Sequence, residues 1–254
     1  WSARNGLTLN GNKTKALLMD STRYVKSMRG DGRLSLSING TPINFVDHAT
    51  NLGVQISSNL SWAEQVRETS NKVTGALWRL KYHQNCLTTS MRTRLVTSLI
   101  FPLFDYCSAV LSDLTGQQRL KLRRLMNACV RFILNLRRDE HISHHYRTLG
   151  WLTADDRRAY LAGCLLFSVL RSGCPSYLAC NFRPCIAPCS TSRISPYDLT
   201  ILQCRTSTYQ QSFCYVASFS WNSHPIAIRT SNSLSLFRRG LFSHLRGDGA
   251  SVRL

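Results

Sequence analysis

Gln117-Gln118-Arg119-Leu120-Lys121-Leu122-Arg123-Arg124-Leu125-Met126-Asn127-Ala128-Cys129-Val130-Arg131-Phe132-Ile133-Leu134-Asn135-Leu136 is the stretch on which the fold class turns. Leu122, Met126, Cys129, Ile133 and Leu136 recur at steps of three and four, which places them on one face of a helix. Arg124, Arg131 and Arg138 fall seven apart and project from the other side, with no acidic residue between positions 117 and 138. A solvated surface would show similar polarity. Evenly spaced guanidiniums without intervening carboxylates better suit a helix lying along a phosphate backbone. With Arg119, Lys121 and Arg123, these residues are the candidate nucleic-acid contacts of the middle of the chain.

The flanking sequence is also helical. Towards the N-terminus, Ser90–Leu111 is expected to form a helix interrupted near Pro102, whose ring and missing N–H disrupt the ladder. From Ser61, with Glu64 as a capping-box partner, Val66, Val73, Leu77 and Leu80 fit one face of another. Towards the C-terminus, Thr153 caps a helix with Asp155 and Asp156 in its first turn, ending near Gly173. Residues 174–207 are rich in Pro, Cys and Ser and read as a loop or linker. Shorter helices are expected at Tyr209–Trp221 and Ser233–Leu245. Residues 1–60 differ. Leu34, Leu36 and Ile38 alternate with Ser35 and Ser37 ahead of an Asn39-Gly40 turn, and Ile43–Val46 and Leu52–Ile56 are further strand candidates. The expected fold is α+β and mainly α, with a small β-element followed by helices.

Charge narrows the function. The chain has 254 residues, 32 Lys+Arg against 13 Asp+Glu, and a net charge of +19. Only six of the cations are Lys, so the excess is almost wholly Arg. Such a composition favours phosphate and base contacts over simple attraction to an acidic lipid surface. The longest apolar run, Ala159–Leu170, is too short to span a bilayer, so no membrane partner is expected. Cys107, Cys129 and Cys164 lie within apolar helical patterns and read as small buried hydrophobes in a reducing compartment. An intracellular location, nucleus and cytoplasm, is expected. The chain begins at Trp1 rather than Met and reads as a piece of a longer polypeptide.

Several segments, in order, resemble the end of the reverse transcriptase of non-LTR (LINE-type, jockey-like) retrotransposons. Trp1 with Gly6-Leu7-Thr8-Leu9-Asn10-Gly11-Asn12-Lys13-Thr14-Lys15 is similar to the family's polymerase motif D. Ala49-Thr50-Asn51-Leu52-Gly53-Val54-Gln55-Ile56 and Leu60-Ser61-Trp62 resemble motif E. Phe101-Pro102-Leu103-Phe104-Asp105-Tyr106-Cys107, Leu122-Arg123-Arg124-Leu125-Met126-Asn127 and Tyr146-Arg147-Thr148-Leu149-Gly150-Trp151-Leu152 follow in the family's order. Trp221-Asn222 with Pro225, then Ser233 to Phe237, resembles its C-terminal ending. Asn51 stands where the family usually has an aromatic residue, and His224 where it has Leu.

The resemblance implies that residues 1–60 are the C-terminal end of a polymerase palm, 61–150 a helical thumb, and 151–254 a basic C-terminal region containing the 174–207 linker. It implies an RNA-directed DNA polymerase acting on an RNA template and a DNA primer or target, with Mg²⁺ held by paired Asp residues. Those residues lie ahead of motif D in the family, in a missing N-terminal part of the same polypeptide. The chain itself is therefore expected to be inactive alone, with no cofactor of its own. Lys13 matches the motif D lysine, a possible general acid towards the pyrophosphate leaving group. Asn10 and Thr14 support that motif's turn, and Leu52, Gly53 and Val54 match the primer-gripping hairpin. Some relatives end in a zinc knuckle. Cys180, Cys185, Cys189 and Cys204 depart from that spacing, and no metal site is expected here. The alternative is a stand-alone or decayed basic nucleic-acid-binding module without enzymatic activity.

Overall fold

The computed structural model describes residues 3–19, 27, 35–38, 40–185 and 195–247. These divide into two units, Trp1–Glu68 and Thr69–Leu254. Described residues are mainly helical, with two small antiparallel β-pairs.

In the first unit, β1 (Ser37–Ile38) pairs with β2 (Thr41–Pro42), and β3 (His48–Asn51) pairs with β4 (Val54–Ser57). Leu34 and Asn39 of the expected first hairpin lie outside the described residues. Ile43–Val46 is not a strand. Its backbone instead joins Ala16, whose N–H donates to Asn44 O at 3.1 Å and whose carbonyl accepts from Val46 N–H at 2.9 Å. The second hairpin is in register from His48↔Ser57 to Asn51↔Val54, leaving Leu52 and Gly53 as its two-residue loop. Both have positive φ, 46° and 80°, as a type I′ turn requires. The Leu52–Ile56 strand expected from sequence therefore begins two residues later, because its first two residues make the turn.

Helix α1 (Ala63–Tyr82) begins without the expected Ser61–Glu64 box. Ser61 Oγ does accept from Ala63 N–H at 3.3 Å, but the Ser61 N–H donates to Asn59, and Glu64 pairs with Arg67 at 2.6 Å. A basic residue one turn away competes well for an exposed carboxylate.

The second unit starts within α1 and holds two cores. The expected 90–111 helix forms in pieces: α2 (Thr89–Leu95), a π turn (Val96–Ile100) and α3 (Phe101–Asp105). Pro102 lies in the first turn of α3, where its missing N–H is tolerated, and the wide turn before it absorbs the break. Cys107 then adopts a left-handed conformation, φ 52°, and is only half-buried, so it is not the core residue expected. Helix α4 (Gly116–Leu134) is capped by a Thr115–Gln118 box and closed by left-handed Asn135. Its predicted stripe is real: Leu122, Met126, Cys129 and Ile133 are buried, and Leu136 packs beside them. Burial pushes the Cys129 thiol up to about 12, so it stays protonated. Helix α5 (Ser143–Leu149) adds Tyr146, whose hydroxyl donates to Asn127 Oδ1 at 2.8 Å.

Helix α6 (Ala154–Ser172) belongs to both cores. Its start joins the first, through Ala154 and the neighbouring Trp151, which packs on Phe101 with ring centroids 4.4 Å apart. Its later turns supply Cys164, Leu166, Phe167 and Val169 to the second. That core also takes residues from α7 (Ser176–Ala179), α9 (Phe213–Ser223), α10 (Ile226–Arg229) and α11 (Leu234–Leu245), while α8 (Ser207–Gln210) lies outside it. Phe237 stacks on Phe167 at 4.4 Å and on Trp221 at 5.8 Å. The Pro/Cys/Ser-rich segment is tied into this core where it is described. Phe182 and Leu199 are buried, and Thr200 N–H donates to Arg183 O at 2.8 Å. No helix among the described residues is long and apolar enough to cross a membrane.

Two helical glycines should respond oppositely to Ala. A Cβ at Gly75 meets nothing within 4 Å, whereas one at Gly163 would lie 2.8 Å from Leu241 Cδ2, a fully buried side chain. Gly75→Ala should raise stability in urea unfolding by about 0.5–1 kcal/mol. Gly163→Ala should lower it by roughly 1 kcal/mol despite the better helix former, because the fully buried Leu241 side chain must shift within a packed core.

Candidate nucleic-acid interface

In the first unit, Gly11–Lys13 forms a 3₁₀ turn. Asn10 Oδ1 accepts from Lys13 N–H at 3.2 Å, and the Thr14 hydroxyl donates to Asn10 O at 2.9 Å. Asn10 and Thr14 thus hold the turn, and Lys13 is exposed on it. The hairpin presents Leu52 at its tip, 86% exposed, while Val54 is buried. Gln65 Oε1 accepts the Gln55 N–H at 2.8 Å, covering part of the β4 edge. Leu7, Leu9, Met19 and Leu36 are also exposed, so this unit carries considerable apolar surface.

A leucine in left-handed backbone is strained, whereas Asn tolerates that region. Leu52→Asn should stabilise the turn by about 1 kcal/mol, read as roughly fivefold slower amide exchange at Val54. Unchanged exchange would mean that Leu52 is held without strain.

In the second unit, the arginines expected to act together have separate duties. Lys121 and Arg124 are exposed on the solvent face of α4 and make no ion pair among the described residues. Arg131 shares their side of the helix but is engaged. Its guanidinium donates to the carbonyls of Arg137, Arg138 and Glu140 at 3.2–3.3 Å, closing the loop after α4. Arg138 lies beyond the helix, exposed in that loop, so the seven-residue spacing does not continue as one helical row. Arg123 turns to the flank and meets Asp155 at 2.8 Å.

That flank is a cluster. Asp155 also takes Arg158 at 2.5 Å, and Arg119 stands close by, so one carboxylate faces three guanidiniums. Burial works to raise the Asp155 pKa, but hydrogen bonds and charge from Arg123 and Arg158 hold it below the ordinary value. Arg158 is only 15% exposed, and burial together with Arg119 and Arg123 lowers its pKa despite the ion pair. The site keeps an excess of positive potential.

Arg119, Asp155 and Arg158 stand at a cleft of about 190 Å³, lined otherwise by mostly apolar residues of α6 and α9, by the 108–112 segment with Ser108 and Ser112, and by Ser220 and His224. His224 is 6% exposed. Its Nε2 lies 3.4 Å from Ser220 Oγ, and its Nδ1 is buried with no partner among the described residues. A buried polar atom left unsatisfied costs about 1–3 kcal/mol. Burial, and then the nearby His244 and Arg229 charges, push His224 down to about 4, so its ring is neutral at pH 7.

Sequence reasoning missed this cleft. Of its polar members it singled out Arg119, Asp155 only as a helix-capping residue, and His224 only as an unusual residue after Trp221-Asn222. That pair proves architectural. Trp221 Nε1–H donates to Tyr197 O at 2.9 Å, and the Asn222 amide makes two 2.8 Å bonds with the Leu199 backbone. Asp198 beside them pairs with Arg229, which is nine-tenths buried.

The fit to a divalent-metal centre is poor. Of the two adjacent acidic pairs among the described residues, Asp155 and Asp156 are engaged by arginines and by the Thr153 cap respectively, and in Asp139-Glu140 the Glu140 carboxylate accepts from Arg137 N–H at 2.8 Å. No group of three or more His, Cys, Asp or Glu suited to a metal occurs among the described residues; Cys189 lies outside them. His141 and His145, four residues apart, do not share a helix face, because His141 precedes α5, which carries His145. No family model, curated protein or solved structure matches the chain.

The His224 shift carries a pH signature. Its folded value of about 4 lies below the ordinary 6.5, so between those limits the unfolded chain gains a proton that the folded chain refuses. Stability should therefore fall as pH drops from 6.5 towards 4, and His224→Leu should flatten that part of the curve. Asp155 and Asp198, both lowered from 3.8, lose their contribution only at still lower pH. Urea unfolding at stepped pH separates the two windows.

Proposed function

We propose that this chain is the C-terminal part of an RNA-directed DNA polymerase of the non-LTR retrotransposon kind, and that its second unit grips the template–primer through α4. The carrying observation is the exposed, unpaired pair Lys121 and Arg124 on a helix whose opposite face is fully engaged in the core. The net charge of +19, almost all from Arg, supports a polyanionic partner. The ordered motif segments support the polymerase reading, as does a hairpin turning on Leu52-Gly53 where the resemblance places the primer grip. In this reading residues 1–60 are the end of the palm, and Lys13 stands ready on its turn as a general acid. Mg²⁺ would be held elsewhere in the polypeptide, since the carboxylates here do not suit it.

The second reading is a basic nucleic-acid-binding module without catalysis. It is favoured by the engagement of Asp155 and Asp156 in ion pairing and capping, which draws both carboxylates away from phosphoryl-transfer chemistry.

Binding to an RNA–DNA hybrid across a salt series tests both. Affinity should fall steeply with salt. Replacing Lys121 and Arg124 together by Ala should reduce the log–log slope by about 2 with little change in melting temperature. Arg131→Ala should instead lower the melting temperature, because three carbonyls lose their donor. Salt-independent binding, or a slope unchanged in the double variant, would refute the α4 interface.

A further inference from the structure

The cleft between α6 and α9 has three properties that seldom occur together by accident of packing. It is apolar along its walls, it is flanked by an unbalanced cluster of cations, and it holds a buried imidazole nitrogen with no partner among the described residues. Each property restricts the ligand. Ligand pockets for drug-sized molecules run to roughly 300–1,000 Å³, so this one has room for little more than a single planar ring system. Arg119 and Arg158, against Asp155 alone, call for an anion at the rim. The His224 ring offers one nitrogen to Ser220, which leaves Nδ1 to donate or accept according to which nitrogen carries the proton. That suits a ring whose edge mixes donors and acceptors. An aliphatic acid supplies the anion but no such edge, and a hydrophobic side chain from another protein supplies neither.

We propose that this cleft receives one unpaired nucleotide, its base lying on the apolar walls with a polar edge at His224, and its phosphate at Arg119 and Arg158. The inference rests on the nucleic-acid reading above and deepens it: the paired strands run along Lys121 and Arg124, while a nucleotide outside the duplex is taken up on the flank that Arg119 shares with α6. Unpaired bases are commonly bound in this way, by insertion against apolar or aromatic side chains with hydrogen bonds to the exposed edge.

The test uses an RNA–DNA hybrid carrying a single 2-aminopurine overhang beside the same hybrid with blunt ends. The overhang should tighten binding by about tenfold and change 2-aminopurine emission on saturation. Ala162→Met fills the cleft from a half-buried position on α6. It should abolish both effects while leaving blunt-hybrid affinity and melting temperature unchanged. His224→Leu should weaken the overhang effect in the same direction. Equal affinity for the two hybrids with no emission change would overturn the proposal, as would an overhang effect that survives Ala162→Met. If neither hybrid binds, adenosine monophosphate titrated against tryptophan emission decides: saturable binding lost in Ala162→Met keeps the nucleotide site and discards the template–primer reading, and no binding discards both.

Discussion

Asp105 grips Arg157 through two hydrogen bonds, at 2.5 and 2.6 Å, while the guanidinium lies 4.2 Å from the Phe101 ring centroid. This pair fastens the first turn of α6 to the end of α3, and α6 is the element that both cores share. A chain with 13 carboxylates and 32 basic side chains can place few such clamps. Three of them meet arginines largely withdrawn from water: Asp105 with Arg157, Asp155 with Arg158, and Asp198 with Arg229. A buried guanidinium without a counter-charge would be costly, so the placement of these acids decides which helices can approach one another.

Other arginines donate to carbonyl oxygens. Arg92 reaches the last carbonyls of α4 and the Gln84 carbonyl, Arg131 the loop after α4, and Arg171 the Asn232 carbonyl at 2.7 Å. The five-donor fork of Arg serves several acceptors at once, which an ammonium cannot do in one plane. Part of the Arg bias in the composition is therefore architectural, and only the remainder is available to a polyanion.

That division explains which features the sequence made legible. The α4 stripe follows from apolar spacing, the break near Pro102 from ring chemistry, and the cap at Thr153 from local hydrogen bonding. Each depends on residues within a few positions. The fate of the α4 cations does not: Arg123 meets an acid 32 residues away, and Arg131 folds back on a loop beyond its own helix. From sequence, Arg124 and Arg131 look equivalent; in the fold one is exposed and one is a strut. Lys13, Asn10 and Thr14 were readable as a turn because their bonds are local. The cleft was not, since its walls come from residues 108–112, α6 and α9, and the last two are separated by a segment whose composition suggested a linker.

The second core has its own order of assembly. Phe237 and Leu241 are fully buried against α6, yet they lie on α11, the last of the described helices to leave the ribosome. During synthesis the α6 face carrying Leu166 and Phe167 is made well before its cover. The first core can condense early, since α1 to α5 already contain most of it, whereas the second waits for the end of α11. In the interval an apolar surface on α6 stays open beside it, which makes the nascent chain a natural client for chaperones that bind exposed hydrophobic segments.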